Sequence, residues 1–354
     1  MLDVVSRQDR ITIAAAVLLG VLAGVFHFAG LNEVATFVIA GLALAALAAL
    51  VGRSVEQVAD RLGAGATGVV QSALGNLPEL FVCIFALRAH LVRVVEAAII
   101  GSILGNILLV LGLAFVVGGL RNGRQQFEGN RARTLIALMI LAVAAMLVPS
   151  LASYVHTPAA SHEHALSVIA SITLLAVFGL SLPASIRRGE NEPEVDEGAG
   201  QRWPVPVAIT ALAVTGVAAA VVSDWFVSAL TPALGTLHIS QTFAGLVIVA
   251  IAGNAVENVV GIQLAARNRA DHALSVILNS PLQIALVLAP LLVLLSPVIG
   301  GPTFTLVFPP LLVTTVVASV LAVSFVIIDG ESDWLEGAAL LGLYVVVAAS
   351  FWWG

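Results

Sequence analysis

Two short segments, Gly75-Asn76-Leu77-Pro78-Glu79 and Gly253-Asn254-Ala255-Val256-Glu257, each place a carboxylate inside an otherwise apolar run. A charged side chain at the centre of a bilayer costs at least ~2.5–3.5 kcal/mol on insertion scales, so it normally faces a partner, a cavity or an ion path. Two carboxylates facing each other repel, and one takes up a proton unless a cation sits between them. A divalent cation cancels both charges at once. Calcium suits this role because it prefers roughly six to eight oxygen ligands, both carboxylate and carbonyl. Further oxygens lie close in sequence: the amides of Asn76 and Asn254, and Ser102, Asn106, Ser280 and Gln283 on the stretches that follow. Gly75 and Gly253 permit close approach and unusual dihedrals. Pro78 and Pro281 lack an N–H, so inside helices they would free the carbonyls of Leu74 and Ile277 as additional ligands. No resident cofactor is expected; a calcium ion so held would be expected as a substrate in transit.

The elements that must carry these groups are membrane helices. Apolar residues make up 60% of the 354-residue chain and charged ones 10%, and the mean hydropathy is +1.06. A soluble domain carries roughly a quarter charged residues. Apolar stretches of the ~20 residues needed to cross a bilayer recur along the chain. The short alternating segments of a β-barrel are absent. The lone Cys83 excludes a disulfide framework or a cysteine metal cluster. The expected fold is thus an all-α polytopic membrane protein of eleven helices: 11–30, 33–51, 64–88, 94–119, 132–149, 165–183, 205–230, 239–266, 270–296, 304–327 and 334–353. The first run follows Arg7 and Arg10 as a signal peptide would, but it is too long and lacks a small-residue cleavage site. It reads as a retained helix.

Orientation rests on arginine alone, because the chain has no lysine. With the N-terminus inside, thirteen of the fifteen arginines are cytoplasmic, and only Arg88 and Arg93 are outside. The C-terminus is then external. The polar run 187–204 carries Glu190, Glu192, Glu194, Asp196 and Glu197. It reads as a solvated cytoplasmic linker, with a regulatory cation-binding segment as the alternative. The chain divides into a leading helix (1–32), a five-helix repeat (33–184), the acidic linker (185–204) and a second five-helix repeat (205–354).

The repeat is visible in the spacing. From Glu79 to Ser102 is 23 residues, and from Glu257 to Ser280 is also 23. In both halves the serine lies on the helix after the motif. The two motif helices run in opposite directions, which makes the repeats inverted, the arrangement that brings such helices together near the midplane in many secondary transporters. Other ionisable groups are weaker signals. Glu56 and Asp224 fall toward opposite membrane faces, where they would attract ions into vestibules or simply mark helix boundaries. Glu96 opens a helix, where the helix dipole accounts for it. His156, His162 and His164 sit in an outer loop that reads as solvated, with weak metal binding as the alternative.

At these residues the sequence resembles the calcium/cation–proton exchanger family, within the wider calcium:cation antiporter superfamily. The resemblance covers nearly the whole chain after the first helix. It is carried by "GNLPELFVCIFAL", "RVVEAAIIGSILGNILLVLGLAFVVGG", "GLVIVAIAGNAVENVVGIQLAARN", "DHALSVILNSPLQIALVLAPLLVLLS" and "IIDGESDWLEGAALLGLYVVV". It implies the same eleven-helix plan with two inverted repeats and an acidic linker. It further implies that Glu79 and Glu257 are the ion-binding carboxylates, surrounded by Asn76, Asn254, Ser102, Asn106, Ser280 and Gln283. The family's first motif usually reads Gly-Asn-Ala-Thr-Glu, whereas Leu77-Pro78 precede Glu79 here, as in the sodium/calcium branch. Its second motif usually ends in His, where this chain has Asn258, so no imidazole relays protons there. Its Gly-Ser-Ser is here Asn279-Ser280-Pro281.

The function implied is a secondary antiporter of a prokaryotic plasma membrane that exports calcium, with other divalent cations as further substrates, in exchange for protons. A sodium-coupled exchanger keeps the same two-glutamate site and is the alternative. A passive channel is disfavoured by the inverted repeat. An enzyme is not expected, since no Walker motif, nucleophile elbow or metal-hydrolase motif is present. The partners are the lipid bilayer and the transported ions, with no nucleic acid, and the residues specify no oligomeric state.

Overall fold

The computed structural model describes residues 6–59, 74–189 and 203–353. These are almost wholly helical and cluster into two compact units, residues 1–85 with 176–238 and residues 86–175 with 239–354. In the first unit, α1 (Arg7–Phe28) packs on α2 (Glu33–Ala59), and α2 packs along the long α8 (Val205–Leu237). The alanine-rich centre of α2 suits this, because small residues let membrane helices approach closely. Phe37 stacks on Phe226 with ring centroids 4.8 Å apart. At one end of the unit Arg53 pairs with Asp9 at 3.4 Å and with Glu56 at 2.7 Å. The first motif also begins within this unit. Leu74 is helical, Gly75 and Asn76 turn, and α3 (Leu77–Arg88) starts at once, with Leu80 N–H donating to the Asn76 carbonyl at 2.9 Å.

The second unit is built around α4 (Val92–Leu104), which passes through a π-helical turn (Gly105–Val110) into α5 (Leu111–Asn122). Apart from a few buried polar side chains, Glu96, Ser102 and Asn106, the buried part of this segment is apolar, as an enclosed helix requires. The segment is 83% buried, against 17% for α1. Against α4 lies a second broken segment: α9 (Gln241–Phe243), a π-helical turn (Ala244–Val249) and α10 (Ala250–Gly253). The crossing is a backbone contact. A Cβ added at Gly101 would overlap the main chain of Leu246, and one at Gly245 would overlap the carbonyl of Val94. Only glycine fits such an approach from either side. After α10 come α11 (Ala255–Ala266) and α12 (Ala270–Gln283), which pack on each other, then a π-helical turn (Ile284–Leu288) and α13 (Ala289–Ile299). The remaining helices are α6 (Gly129–Tyr154), α7 (Glu163–Gly189, shared between the units), α14 (Pro310–Ile327) and α15 (Trp334–Ser350). The described β-structure is a two-residue antiparallel pair, β1 (Gln125–Gln126) and β2 (Glu331–Ser332), with Gln125 opposite Ser332.

Among the described residues eight helices are long and apolar enough to cross a membrane, and nine if the bent pair Gln241–Gly253 and Asn258–Ala266 counts as one span. The shorter apolar α15 coincides with the expected last span. Residues 64–73 of the expected third span, 64–88, lie outside the described residues, as do the five linker carboxylates.

Three details of the sequence reading are corrected. The expected helix 304–327 begins only at Pro310. The segment before it is apolar but not helical, since Pro309 and Pro310 exclude the helix ahead of them. Its backbone is satisfied instead by hydroxyls: Phe304, Leu306 and Phe308 donate to Oγ of Ser296, Ser167 and Ser150 at 2.9, 3.0 and 2.9 Å. Pro78 does not interrupt a helix but occupies the first turn of α3, where its missing N–H would have been unpaired anyway. The span 239–266 is not one rod, since it bends by 63° at its motif.

Candidate cation site

Both Gly-Asn pairs sit where one helix stops and another starts. Asn254 closes α10 and opens α11 with non-helical dihedrals, φ −101° and ψ 18°. Gly75 and Asn76 form the corresponding turn before α3. The helices that follow are both twelve residues long, and Glu79 and Glu257 are each the third residue. Free N–H groups at a helix start favour negative charge there. The match extends further. Ser102 on α4 and Ser280 on α12 each lie just before a π-helical turn. Such turns inside α-helices are frequent at functional sites.

In the second unit four of the expected residues meet. Asn254 Nδ2 donates to Ser102 Oγ at 3.1 Å and to the Ala250 carbonyl at 3.0 Å, while its Oδ1 accepts from Ser280 Oγ at 3.1 Å. Asn106 Nδ2 donates to Ser280 Oγ at 3.1 Å and to the Ser102 carbonyl at 2.8 Å. Ser102, Asn106, Asn254 and Ser280 thus form a closed network joining α4, its π-turn, α10 and α12, and none is more than 2% exposed. The close crossing at Gly101 and Gly245 is what lets α4 come near enough for it. A buried polar network of this kind is stable only when its members are paired. Beside it is a small cavity of about 10 Å³, lined on its polar side by Ser102, Asn106, Asn254 and Asn258. That is about the space one water molecule needs.

The other expected residues are placed as follows. Glu79 in the first unit is fully buried and Asn76 is buried, with Gly75 half-buried in the turn between them and Leu74. Gly253 ends α10, and Gln283 is the half-buried last residue of α12. Glu257 is in α11, but its side chain lies outside the described residues. Pro281 is inside α12, as expected. Of the weaker signals, Glu56 is exposed and paired with Arg53, Glu96 is buried and pairs with Arg93 at 3.3 Å, and His162 contacts Ser161 Oγ. Among the described residues no three His, Cys, Asp or Glu side chains converge as a metal cluster. The sequence reading noted Asn258 only as standing where an imidazole would relay protons, and did not count it among the site residues. Its place four residues after Asn254 marks it as sharing that residue's helix face.

Comparison with known proteins agrees with this pattern. The family described as sodium/calcium exchanger protein matches residues 32–187 and 207–353. The chain belongs to that family. The gap between the two matched blocks of this exchanger-family chain, residues 188–206, contains the five carboxylates Glu190, Glu192, Glu194, Asp196 and Glu197. A Ca(2+)/H(+) antiporter of Synechocystis is 34% identical over 348 residues, covering 92% of each chain. A Ca(2+)/H(+) antiporter of Bacillus subtilis is 33% identical, covering 98% of this chain and 99% of that one. The solved structure of native YfkE superposes with a TM-score of 0.81 at 33% identity, covering 97% of this chain and 98% of that one.

Proposed function

We infer that this protein is a secondary antiporter that exports calcium from the cytoplasm in exchange for protons. The observation that carries the reading is the buried oxygen-rich network, assembled at a Gly-Asn-x-x-Glu helix break inside an apolar membrane unit. The two relatives named Ca(2+)/H(+) antiporters, matched along nearly their whole length, support the choice of ions. In this reading Glu79 and Glu257 are the charged ligands, with Gly75, Gly253, Asn76, Asn254, Ser102, Asn106, Ser280 and Gln283 around them. Exchange then needs no further part. Calcium requires both carboxylates ionised, and protons require them neutral, so one site holds one cargo or the other.

The layout proposed with this function is eleven membrane helices, a leading one and two inverted repeats of five, at residues 1–32, 33–184 and 205–354. The matching order of break, twelve-residue helix, serine and π-turn in the two halves supports the repeat. The arginine distribution supports a cytoplasmic N-terminus in a prokaryotic plasma membrane. The linker 185–204 is read as solvated, and no enzymatic activity is proposed.

The test is calcium uptake into inverted vesicles driven in turn by an imposed pH gradient and an imposed sodium gradient. Uptake with the pH gradient in the absence of sodium is expected. Uptake that needs sodium and moves no protons would replace the proton with sodium while leaving the two-glutamate site in place.

A further inference from the structure

The small cavity beside the network holds more information than its size suggests. Two of the amide groups that line it have spent their donors within the network. Both hydrogens of Asn106 Nδ2 are committed to the Ser102 carbonyl and Ser280 Oγ. Asn254 Nδ2 is likewise committed, to Ser102 Oγ and the Ala250 carbonyl. What remains is two buried amide oxygens, Asn106 Oδ1 and Asn258 Oδ1, neither with a hydrogen-bond partner among the described residues. A buried acceptor left unpaired costs about 1–3 kcal/mol. Two of them lining one water-sized cavity call for an occupant that brings positive charge or donors only.

We propose that Asn258 is a direct, neutral ligand of the transported calcium, sharing it with Asn106 across this cavity, and that it sets selectivity among divalent cations. The proposal rests on the calcium reading above. Amide oxygens are ordinary calcium ligands, and selectivity between cations follows cavity size and ligand number. Asn258 lies four residues beyond Asn254, which caps α11, and is next in sequence to Glu257. An amide also differs from a carboxylate or imidazole in a useful way. It binds a cation at any working pH without itself taking up a proton. The site therefore gains a ligand that does not enter the proton exchange.

The experiment uses the full-length chain in proteoliposomes. It measures initial calcium uptake under an imposed pH gradient, competition by strontium and manganese, and thermal unfolding of each variant. Asn258→Leu keeps the size and removes the oxygen. It is expected to raise the KM for calcium roughly tenfold or more and to change the strontium-to-calcium preference. Asn258→Asp keeps an oxygen and is expected to retain calcium uptake. The opposite pattern, with Leu tolerated and Asp inactive, would assign Asn258 to packing and overturn the proposal. Unchanged KM and selectivity in both variants would mean that the cavity holds only water, and would also overturn it. Should Asn258→Leu fail to fold, Gly105→Ala serves instead. Gly105 lines the same cavity, and a methyl there meets no heavy atom within 4 Å. It should impair strontium, the larger ion, more than calcium, and equal effects on both would sink the idea. Failure of the calcium reading looks different, because then the unmodified protein itself moves no calcium under either gradient.

Discussion

At the scale of single residues, the division of labour is between groups that carry charge and groups that hold shape. Glu79→Gln and Glu257→Gln are each expected to abolish calcium uptake while leaving a folded protein, as judged by a monodisperse elution profile. Full uptake by either variant would separate that glutamate from the site. Ser280 is a shape residue, since it accepts from Asn106 and donates to Asn254. Ser280→Ala leaves both partners short of a bond, at about 1–3 kcal/mol for each buried group. A clear drop in melting temperature should follow, larger than for an exposed serine such as Ser228. Most of these residues are legible in the sequence, because a carboxylate, amide or hydroxyl in a long apolar run needs a reason. Asn258 is harder to read. Its importance depends on which face of a helix it occupies after a 63° bend, and hydropathy carries no record of bends.

At the scale of elements, the decisive feature is the glycine-to-backbone crossing of α4 with the broken segment before α10. Forcing even one methyl into a well-packed contact costs about 1–3 kcal/mol, occasionally more. Here the obstruction is main chain on both sides, so little can yield. Gly101→Ala and Gly245→Ala are therefore expected to lower stability and transport together. Gly216→Ala in α8, where a methyl meets nothing within 4 Å, should do neither. Parallel melting curves and uptake assays on the three variants check this. Apolar runs of membrane-spanning length reveal most helices directly. The exception is the stretch 304–309, which is largely apolar yet not helical. Hydropathy reports burial, not backbone conformation, and two of the three hydroxyls that satisfy this segment, those of Ser150 and Ser167, come from far away in sequence. The proline pair at 309 and 310 is the local signal that the helix starts late.

At the scale of the whole molecule, the coupling ion is the central question, and the prediction follows from competition. In the proposed site, protonating Glu79 and Glu257 would remove the charge that holds calcium, so apparent calcium affinity is expected to fall as pH falls. In sodium-free proteoliposomes, calcium movement should acidify the opposite compartment, which a pH-sensitive dye would show. The linker offers a separate test. Neutralising Glu190, Glu192, Glu194, Asp196 and Glu197 together should leave the cytoplasmic calcium dependence unchanged if the segment is merely solvated, and a shifted dependence would make it regulatory. The network of Ser102, Asn106, Asn254 and Ser280 has one more consequence. It contains no group that gains or loses a proton in the physiological range. If Glu79 and Glu257 are the groups that exchange protons, a full cycle is expected to trade one doubly charged ion for two singly charged ones. Such a cycle carries no net current. A clamped voltage should then neither drive nor stall it, and charge-displacement recordings on vesicles should be electrically silent at steady state.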